Sequence, residues 1–444
     1  MAVNNIAVIN DILPKLIDEG QNNVVAQCRF LKEINKARET NKINPTGLYK
    51  PFTIDENNTG YGVAEGGPIL PGGRPQYVMT NVGLRAHWAT MEWTGQLERI
   101  KNDFLTQLKR DKRYEQYNET QLAGIARNFA IKDQVYSTLK MYARRENFYA
   151  LQGTTNSAIG VVTSIADIAT NKLYFDPTTT SIGNRMMGFG QQIEFRDGAG
   201  VVRNGELARG YGEVNARVDK TAGSLGAVQF DDVDQNIQVG DTAHLRNSYA
   251  LMPQGVPSYI DDTGQFRGVN RSVNPDVLSS VMLRLTGSPT ISPIVIRELL
   301  SKMQSKMGYD IPFEIVFWMC KTQLFNWESF VYNSLIRQVD ASEVKKADLS
   351  VDEVSWGGRK FNIDVDVPPD QVDALNMMSW LNIVQTPMQP YPFDSGQFVK
   401  SIMDSDGQVR DSRMSVIFGE HNWVCEDPRS NGIASGLAFN PDLI

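Results

Sequence analysis

The stretch from Asp55 to Pro75 is the feature that most constrains what this chain can fold into. Of its 21 residues, six are glycine and three are proline, so it can neither continue a helix nor add much to a core. On either side, Tyr49–Ile54 and Pro75–Trp93 read as extended strands. The sequence therefore predicts a long hairpin with a Gly/Pro-rich tip. A two-stranded hairpin is marginal in water and leaves unpaired edges, so we expect it to need a partner surface. A hairpin folded back onto its own domain is the alternative.

Helical signals lie before and after this hairpin. Apolar residues recur at spacings of three and four residues over 6–17 and again over 24–34. This pattern indicates an N-terminal helical arm in two pieces. A capping box at Asn118 begins a longer periodic run that ends at Gly153, in the position that favours a left-handed glycine. The predicted helix, 119–152, would be roughly 50 Å long. That length is typical of an elongated strut rather than of a compact domain.

The second half of the chain alternates between strand and helix patterns. Short β-branched and aromatic runs separated by turn signals predict antiparallel β-structure over 160–260. Helices are expected at 293–307 and 321–338, with a buried strand at 313–319 between them. The run from Phe361 to Val367 alternates, which places Asp364 and Asp366 on the outward face of a strand. The fold class is therefore α+β, with one domain inserted into another.

Composition and motifs argue against several classes of protein. The chain has 444 residues, 41% hydrophobic and 21% charged, with three well-separated cysteines. No apolar run is long enough to span a membrane and no export signal is found, so neither a membrane partner nor a disulfide framework is expected.

The histidines at 87, 244 and 421 are isolated along the sequence, and no metal-binding, phosphate-binding or nucleophile motif occurs. Asp364 and Asp366, and the acidic run 231–234, could bind calcium, but solvated turns and strand faces explain them more simply. We expect no catalytic residue, no cofactor and no metal.

Charge is distributed unevenly. Residues 1–150 are net positive and residues 285–444 net negative. Much of the positive charge lies in one run, which consists of Arg29, Lys32, Lys36, Arg38 and Lys42. Such a run could contact phosphates, but a solvated helix face is favoured because no groove-reading motif accompanies it.

Several segments together resemble a known family. They are Val63–Pro71, Tyr77–Leu84 and Trp93–Gly95 around the hairpin, Val256–Asp262 with Gly268–Arg271, and Trp356–Pro369 followed by Ala374–Asn376. Their order resembles that of the major capsid proteins of tailed double-stranded DNA phages, which share the Hong Kong 97-type capsid fold with herpesvirus capsid floors and encapsulins. The resemblance covers the chain from about residue 47 to its end.

The resemblance implies a role for each segment. It implies an N-terminal arm (1–46), an extended loop (47–94), a peripheral domain (95–284) with spine helix 119–152 and a β-rich insertion at about 160–255, an axial domain (285–385) and a return to the peripheral domain (386–444). Contacts between subunits by the extended loop are expected from Tyr61, Arg74, Tyr77, Trp88 and Trp93. The basic residues of the arm would contact a scaffold, a neighbouring subunit or DNA.

The implied function is structural and not enzymatic. The protein would assemble with itself into pentamers and hexamers of an icosahedral phage head that encloses double-stranded DNA. The other partners implied are a separate scaffolding protein, a portal at one vertex, a decoration or cement protein, and packaged DNA contacted weakly. The expected location is the virion capsid, assembled in the host cytoplasm. An encapsulin-like nanocompartment is the alternative, and a soluble enzyme with an unrecognised site is a further one.

Two departures from the family pattern matter. Some members join subunits by a Lys–Asn isopeptide bond that uses a lysine in the extended loop, whereas residues 51–100 contain no lysine. We therefore expect no such cross-link. Other members carry an N-terminal scaffolding segment that is cleaved in maturation. Here the arm begins within a few residues of Met1, so a separate scaffold is expected.

Overall fold

The computed structural model describes residues 13–15, 17, 28–35, 38–39, 48–55, 76–93, 106, 110, 119–175, 186–188, 190–203, 211–218, 227–310, 314–336, 355–356, 359–393, 397–403 and 409–439. The fold is mixed α and β, as predicted. Two compact units divide the chain. The first unit comprises Met1–Lys32, Leu84–Asn147 and Val384–His421, and the second comprises Glu33–Gly83, Phe148–Ile383 and Asn422–Ile444.

Helices and strands are numbered in chain order. The helices are α1 (Arg29–Ile34), α2 (Glu119–Gln152), α3 (Val256–Tyr259), α4 (Pro275–Leu278), α5 (Pro293–Met307) and α6 (Lys321–Ile336). The strands are β1 (Arg38–Glu39), β2 (Leu48–Asp55), β3 (Gln76–Val82), β4 (Arg85–Trp93), β5 (Gly160–Ser164), β6 (Lys172–Phe175), β7 (Gln192–Arg196), β8 (Gly212–Val218), β9 (Ala227–Phe230), β10 (Thr242–Leu245), β11 (Gln265–Phe266), β12 (Val269–Asn270), β13 (Val281–Arg284), β14 (Ile315–Met319), β15 (Ser355–Trp356), β16 (Arg359–Ile363), β17 (Gln371–Asn376), β18 (Trp380–Pro390), β19 (Lys400–Met403), β20 (Val409–Cys425) and β21 (Gly432–Ser435). Residues 13–15 and 17 are also helical.

Helix α2 has the bounds that the sequence predicts, and its 34 residues span about 50 Å. The Gly153 N–H donates to the Tyr149 backbone oxygen at 2.8 Å and so closes the last turn. Glycine is required at this position for a reason other than the predicted left-handed conformation, since the φ of Gly153 is not positive. A Cβ at Gly153 would lie 2.2 Å from that same oxygen. The helix is confirmed, and its role as the spine of a peripheral domain stays a prediction.

The core of the first unit forms where α2 packs against β4 and β20. Strands β4 and β20 are antiparallel, with Ala89 opposite Ile417 and Trp88 opposite Phe418. The buried apolar residues of this core are Leu13, Ile17, Ala89, Met91, Val135, Leu139, Tyr142, Ala143, Met388, Val399 and Ile417. Because successive side chains of a strand alternate between faces, Trp88 and Thr90 lie on the face away from this core, where both are exposed.

A closed barrel occupies residues 160–245 of the second unit. Its six strands are antiparallel and follow the order β10-β5-β6-β9-β8-β7, with β7 pairing β10 to complete the circle. Apolar residues fill the interior, and Phe195 and Phe230 meet edge to face with ring centroids 5.6 Å apart. The antiparallel β-structure predicted for 160–260 is thus confirmed as far as Leu245, whereas Val256–Tyr259 is helical. Because the barrel is closed, both edges of each of these six strands are paired, so none of the six has an open edge that could pair with another chain.

The two ends of the barrel region meet at a pair of glycines. The Gly255 N–H donates to the Gly153 carbonyl oxygen at 2.9 Å. A Cβ at Gly255 would lie 2.0 Å from the Tyr149 backbone oxygen and 2.4 Å from that of Ala150. The chain therefore leaves the end of α2 and returns to it at one point, and residues 154–254 form an inserted module.

A mixed six-stranded sheet forms the other large part of the second unit. Its strands follow the order β13-β21-β17-β14-β16-β15. Helix α5 packs on one face through Ile296, Leu299 and Met303, which are all buried. On the opposite face, Trp318 of β14 pairs with Asp373 of β17, and neither side chain is exposed. The elements expected at 293–307, 313–319 and 321–338 are present as α5, β14 and α6, with ends that differ by two residues or fewer.

The strand predicted from Pro75 to Trp93 is wrong as one continuous element. The structure has two strands, β3 and β4, interrupted at Gly83 and Leu84. They have different partners, since β3 pairs with β2 and β4 pairs with β20. The residues from Pro75 to Trp93 favour strands almost throughout, so their composition gave no sign that the pairing partner changes. Composition indicates a tendency to form a strand but does not indicate which strand it pairs with.

The outward placement of Asp364 and Asp366 is also wrong. Strand β16 ends at Ile363, before either aspartate, and the two side chains are only 7% and 2% exposed. In the following turn, the Asp364 carboxylate accepts a hydrogen bond from the Asp366 N–H at 3.0 Å. Aspartate stabilises turns in this way, and a turn residue does not follow the alternation of a strand.

Candidate interaction surfaces

Strand β3 of the ribbon formed by β2 and β3 presents two large apolar side chains to solvent. Within the described residues, the two strands pair only with each other, from Leu48 opposite Val82 to Asp55 opposite Gln76. On β3, Thr80 and Val82 are buried, whereas Tyr77 and Met79 are 61% and 63% exposed. Large apolar side chains gathered on one exposed face are typical of a surface that another molecule covers.

A second exposed surface lies in the first unit, and we call it the aromatic platform. It consists of Trp88 on β4, Phe418 on β20, and Tyr391 and Phe393, which follow β18. The Trp88 ring lies 4.4 Å from Phe418 and 5.0 Å from Tyr391, and Tyr391 lies 5.6 Å from Phe393. Trp88 is 44% exposed and the other three are half-buried. The rings thus form one continuous patch on the face of the sheet away from the core.

A buried ionic cluster lies on the core side of the same strands. The Glu146 carboxylate of α2 lies 2.6 Å from His87 Nδ1 of β4 and 2.7 Å from His421 Nε2 of β20. The Tyr142 ring stacks on His87 with centroids 4.2 Å apart. Histidines that are isolated along the sequence therefore share one carboxylate in the fold. Sequence analysis missed this cluster because its members come from three distant segments.

Burial and mutual attraction fix the charge states in this cluster. Burial lowers the pKa of His87 below its ordinary value of 6.5, against the opposing pull of Glu146. Burial acts to raise the pKa of Glu146, but the two histidines outweigh it and hold that pKa at about 2. Because His87, Glu146 and His421 are at most 8% exposed, a substrate cannot reach them. The cluster joins α2, β4 and β20 and stabilises the unit.

The structure places six of the ten residues predicted to make contacts. Tyr77 and Trp88 are exposed as described. Arg29 and Lys32 lie on the exposed side of α1, whose Phe30, Leu31 and Ile34 are buried, which fits the solvated helix face. Trp93 lies in β4 and Arg38 in β1. The other four, which are Tyr61, Arg74, Lys36 and Lys42, lie outside the described residues. That these residues contact other subunits, scaffold or DNA stays a prediction.

Sequence analysis did not single out Met79, Tyr391, Phe393 or Phe418. The Y-P-F run at 391–393 carries no periodic signal, and the approach of Phe418 to Trp88 follows from the β4–β20 register alone. Within the described residues, no group of three or more His, Cys, Asp or Glu side chains is arranged to hold a metal ion. No helix of the described part is long and apolar enough to cross a membrane.

Comparisons with known proteins find distant similarity to solved structures. The solved structures that match about nine-tenths of the chain include phage capsids and an encapsulin, the class that the sequence resembles. The cyanophage A-1(L) capsid asymmetric unit matches with a TM-score of 0.45 and 9% identity, covering 92% of this chain and 93% of that chain. The capsid of Myoviridae phage XM1 matches with a TM-score of 0.39 and 9% identity, covering 92% of this chain and 91% of that chain. The SrpI encapsulin complex from Synechococcus elongatus matches with a TM-score of 0.31 and 6% identity, covering 90% of this chain and 90% of that chain. No family model matches the sequence, and no curated protein matches it.

Proposed function

We propose that this chain is the major capsid protein of a tailed-phage-type particle, with a structural and non-enzymatic role. It assembles into pentamers and hexamers of an icosahedral shell that encloses double-stranded DNA. The observation that carries the proposal is the β2–β3 ribbon. In the part of the chain that the structure describes, its two strands pair only with each other, and β3 exposes Tyr77 and Met79. Because a two-stranded ribbon is marginal alone, a neighbouring subunit is the partner that would stabilise it in a shell.

The assignment of segments follows from the same proposal. Residues 1–46 form the arm, 47–94 the extended loop, 95–284 with 386–444 the peripheral domain, and 285–385 the axial domain. The length of α2 supports its role as a spine. The barrel is a compact module on a glycine neck at Gly153 and Gly255, a form suited to a contact between capsomers.

The remaining partners belong to the proposal too. They are a separate scaffolding protein, a portal at one vertex, a decoration or cement protein, and the packaged DNA. The formal net charge of −7 supports weak DNA contact, because strong phosphate binding would oppose packaging and release. The protein would assemble in the host cytoplasm and remain in the virion.

Electron microscopy and sedimentation of the expressed chain test this proposal. Closed shells, or capsomer-sized rings and tubes without scaffold, are expected. A ribbon variant with Tyr77→Ser and Met79→Ser should assemble at least about ten-fold less well at equal concentration, since apolar burial at the interface is lost. Val273→Ser is the matched control, because Val273 is equally exposed, at 63%, but lies outside both the ribbon and the barrel.

The outcomes separate the alternatives. Shells that enclose DNA support a virion, whereas shells loaded with enzyme indicate a nanocompartment. A monomer or dimer that never assembles, even with the neighbouring phage genes co-expressed, would overturn the shell function and favour an enzyme with an unrecognised site.

A further inference from the structure

The aromatic platform has two polar groups that its own fold does not satisfy. The Trp88 indole N–H and the Tyr391 hydroxyl make no hydrogen bond within the part of the chain that the structure describes. Both sit on rings that contact each other, with centroids 5.0 Å apart. Tryptophan and tyrosine at interfaces usually donate from one edge while the ring face packs against an apolar group. The platform therefore offers apolar ring faces and two neighbouring donors.

This combination fits one kind of peptide. An extended polyproline II segment has no internal hydrogen bonds, so its carbonyl oxygens are free to accept, and its three-residue turn places every third side chain on one edge. Proline-containing segments of the P-x-x-P type bind aromatic surfaces by placing prolines against the rings. A platform of four rings with two donors has the features that such recognition uses.

The chain itself contains a segment of that type. Between Val63 and Pro75 the sequence reads V-A-E-G-G-P-I-L-P-G-G-R-P. Pro68 and Pro71 are three residues apart, with apolar Ile69 and Leu70 between them. In a polyproline II conformation both prolines would occupy the same edge. Four glycines flank this motif, so no bulky side chain next to it would prevent the motif from lying against a flat surface.

We propose that the aromatic platform of one subunit binds the Pro68–Pro71 motif of a second copy of this chain. The inference rests on the proposed shell function and names the partner of its extended loop. Trp88 is 44% exposed in the single chain, which leaves its ring accessible to another molecule. Twenty residues separate Asp55 from Gln76, the last pair of the β2–β3 ribbon. Half of that length, fully extended, reaches roughly 33 Å, enough to contact a neighbouring subunit.

A binding measurement on the full-length, unassembled protein tests the proposal directly. The probe is a fluorescently labelled peptide of residues 63–75, followed by anisotropy. Replacing both prolines of the peptide by alanine should weaken binding about ten-fold or more, as should Trp88→Ala in the protein. Trp88→Phe, which keeps a ring but removes the N–H, should give an intermediate loss. Thr90→Ala is the matched control, because Thr90 lies on the same exposed face of β4 and should bind the peptide like the wild type.

Assembly by the full chain provides the second measurement. Trp88→Ala and the double change Pro68→Ala with Pro71→Ala should each raise the concentration needed for assembly. Combining them should add little, because both remove the same contact. Thermal unfolding of each variant checks that the fold is retained. If Trp88→Ala unfolds, Trp88→Phe and the proline variant still test the contact.

The two proposals fail in distinguishable ways. Wild-type shells with a peptide that does not bind, or that binds equally to wild type and Trp88→Ala, would overturn the platform contact and leave the shell function intact. Strictly additive effects of the platform and proline changes would also overturn it. A wild-type protein that never assembles would contradict the shell function, while the peptide measurement would still report on the platform.

Discussion

Replacing Asp373 by asparagine should stabilise the second unit at alkaline pH. Asp373 lies on β17, is fully buried, and has one carboxylate oxygen without a hydrogen bond in the described part of the chain. Gln371 donates to the other oxygen at 2.5 Å. Burial outweighs this hydrogen bond and raises the pKa of Asp373 from 3.8 to about 7, with a smaller contribution from Asp370. The native state therefore favours the protonated carboxyl.

The magnitude follows from linkage. A displacement of about three pKa units, at 1.36 kcal/mol each, corresponds to about 4 kcal/mol. Between about pH 4 and pH 7 the native state holds a proton that the unfolded chain has released, so stability falls as pH rises through that window. Asparagine cannot ionise. Asp373→Asn should match the wild type near pH 4 and exceed its free energy of unfolding by about 4 kcal/mol at pH 8.

Hydrogen exchange as a function of urea measures this locally, through the amides of β14, β17 and β21 in the full chain. The matched control is Asp232→Asn at an exposed turn of the barrel, which should leave the difference between pH 4 and pH 8 unchanged. If Asp373→Asn is no more stable than the wild type at pH 8, the carboxylate is not held in a dry, uncompensated site and the reasoning is wrong.

Three further predictions concern other parts of the chain. Glu146→Gln should destabilise the first unit by about 3 kcal/mol at pH 7, measured by urea unfolding, because a side-chain amide can accept from one of the two buried imidazoles but would turn its NH2 group towards the other. Gly255→Ala should lower stability by more than about 3 kcal/mol, since its Cβ would lie 2.0 Å from a backbone oxygen of α2, whereas Gly198→Ala, with nothing within 4 Å of its Cβ, should be near neutral. Mature particles should run as single chains on a denaturing gel, because Lys50 lies near the base of the extended loop, opposite Thr80, and residues 51–100 contain no lysine; a ladder of linked chains would contradict this.

Local signals explain why some elements could be predicted and others could not. Helix α2 was predictable to the residue because the sequence signals for its two ends, the run Asn118–Gln121 and Gly153, lie next to those ends along the chain. The pairing of β4 with β20 has no local signal, since its register joins residues at least 320 positions apart. The platform and the Glu146 cluster both depend on that register. Sequence analysis therefore predicts Trp88 as a contact residue but could not find the rings that surround it.

The two units respond to acid in opposite directions. In the first unit, burial depresses the pKa of His87, so the stability that its neutral form contributes is present above pH 6.5 and lost as pH falls below it. The contribution of Glu146 is present above pH 4.5 and is lost as pH falls towards 2. In the second unit, Asp373 gains its proton in the native state as pH falls through about 7. Acidification from pH 7 to pH 5 should therefore weaken the first unit and stabilise the second. Exchange of the β4 amides should speed up over that range while exchange of the β17 amides slows down, and a parallel change in both would contradict the assignment of these groups as the dominant titrating sites.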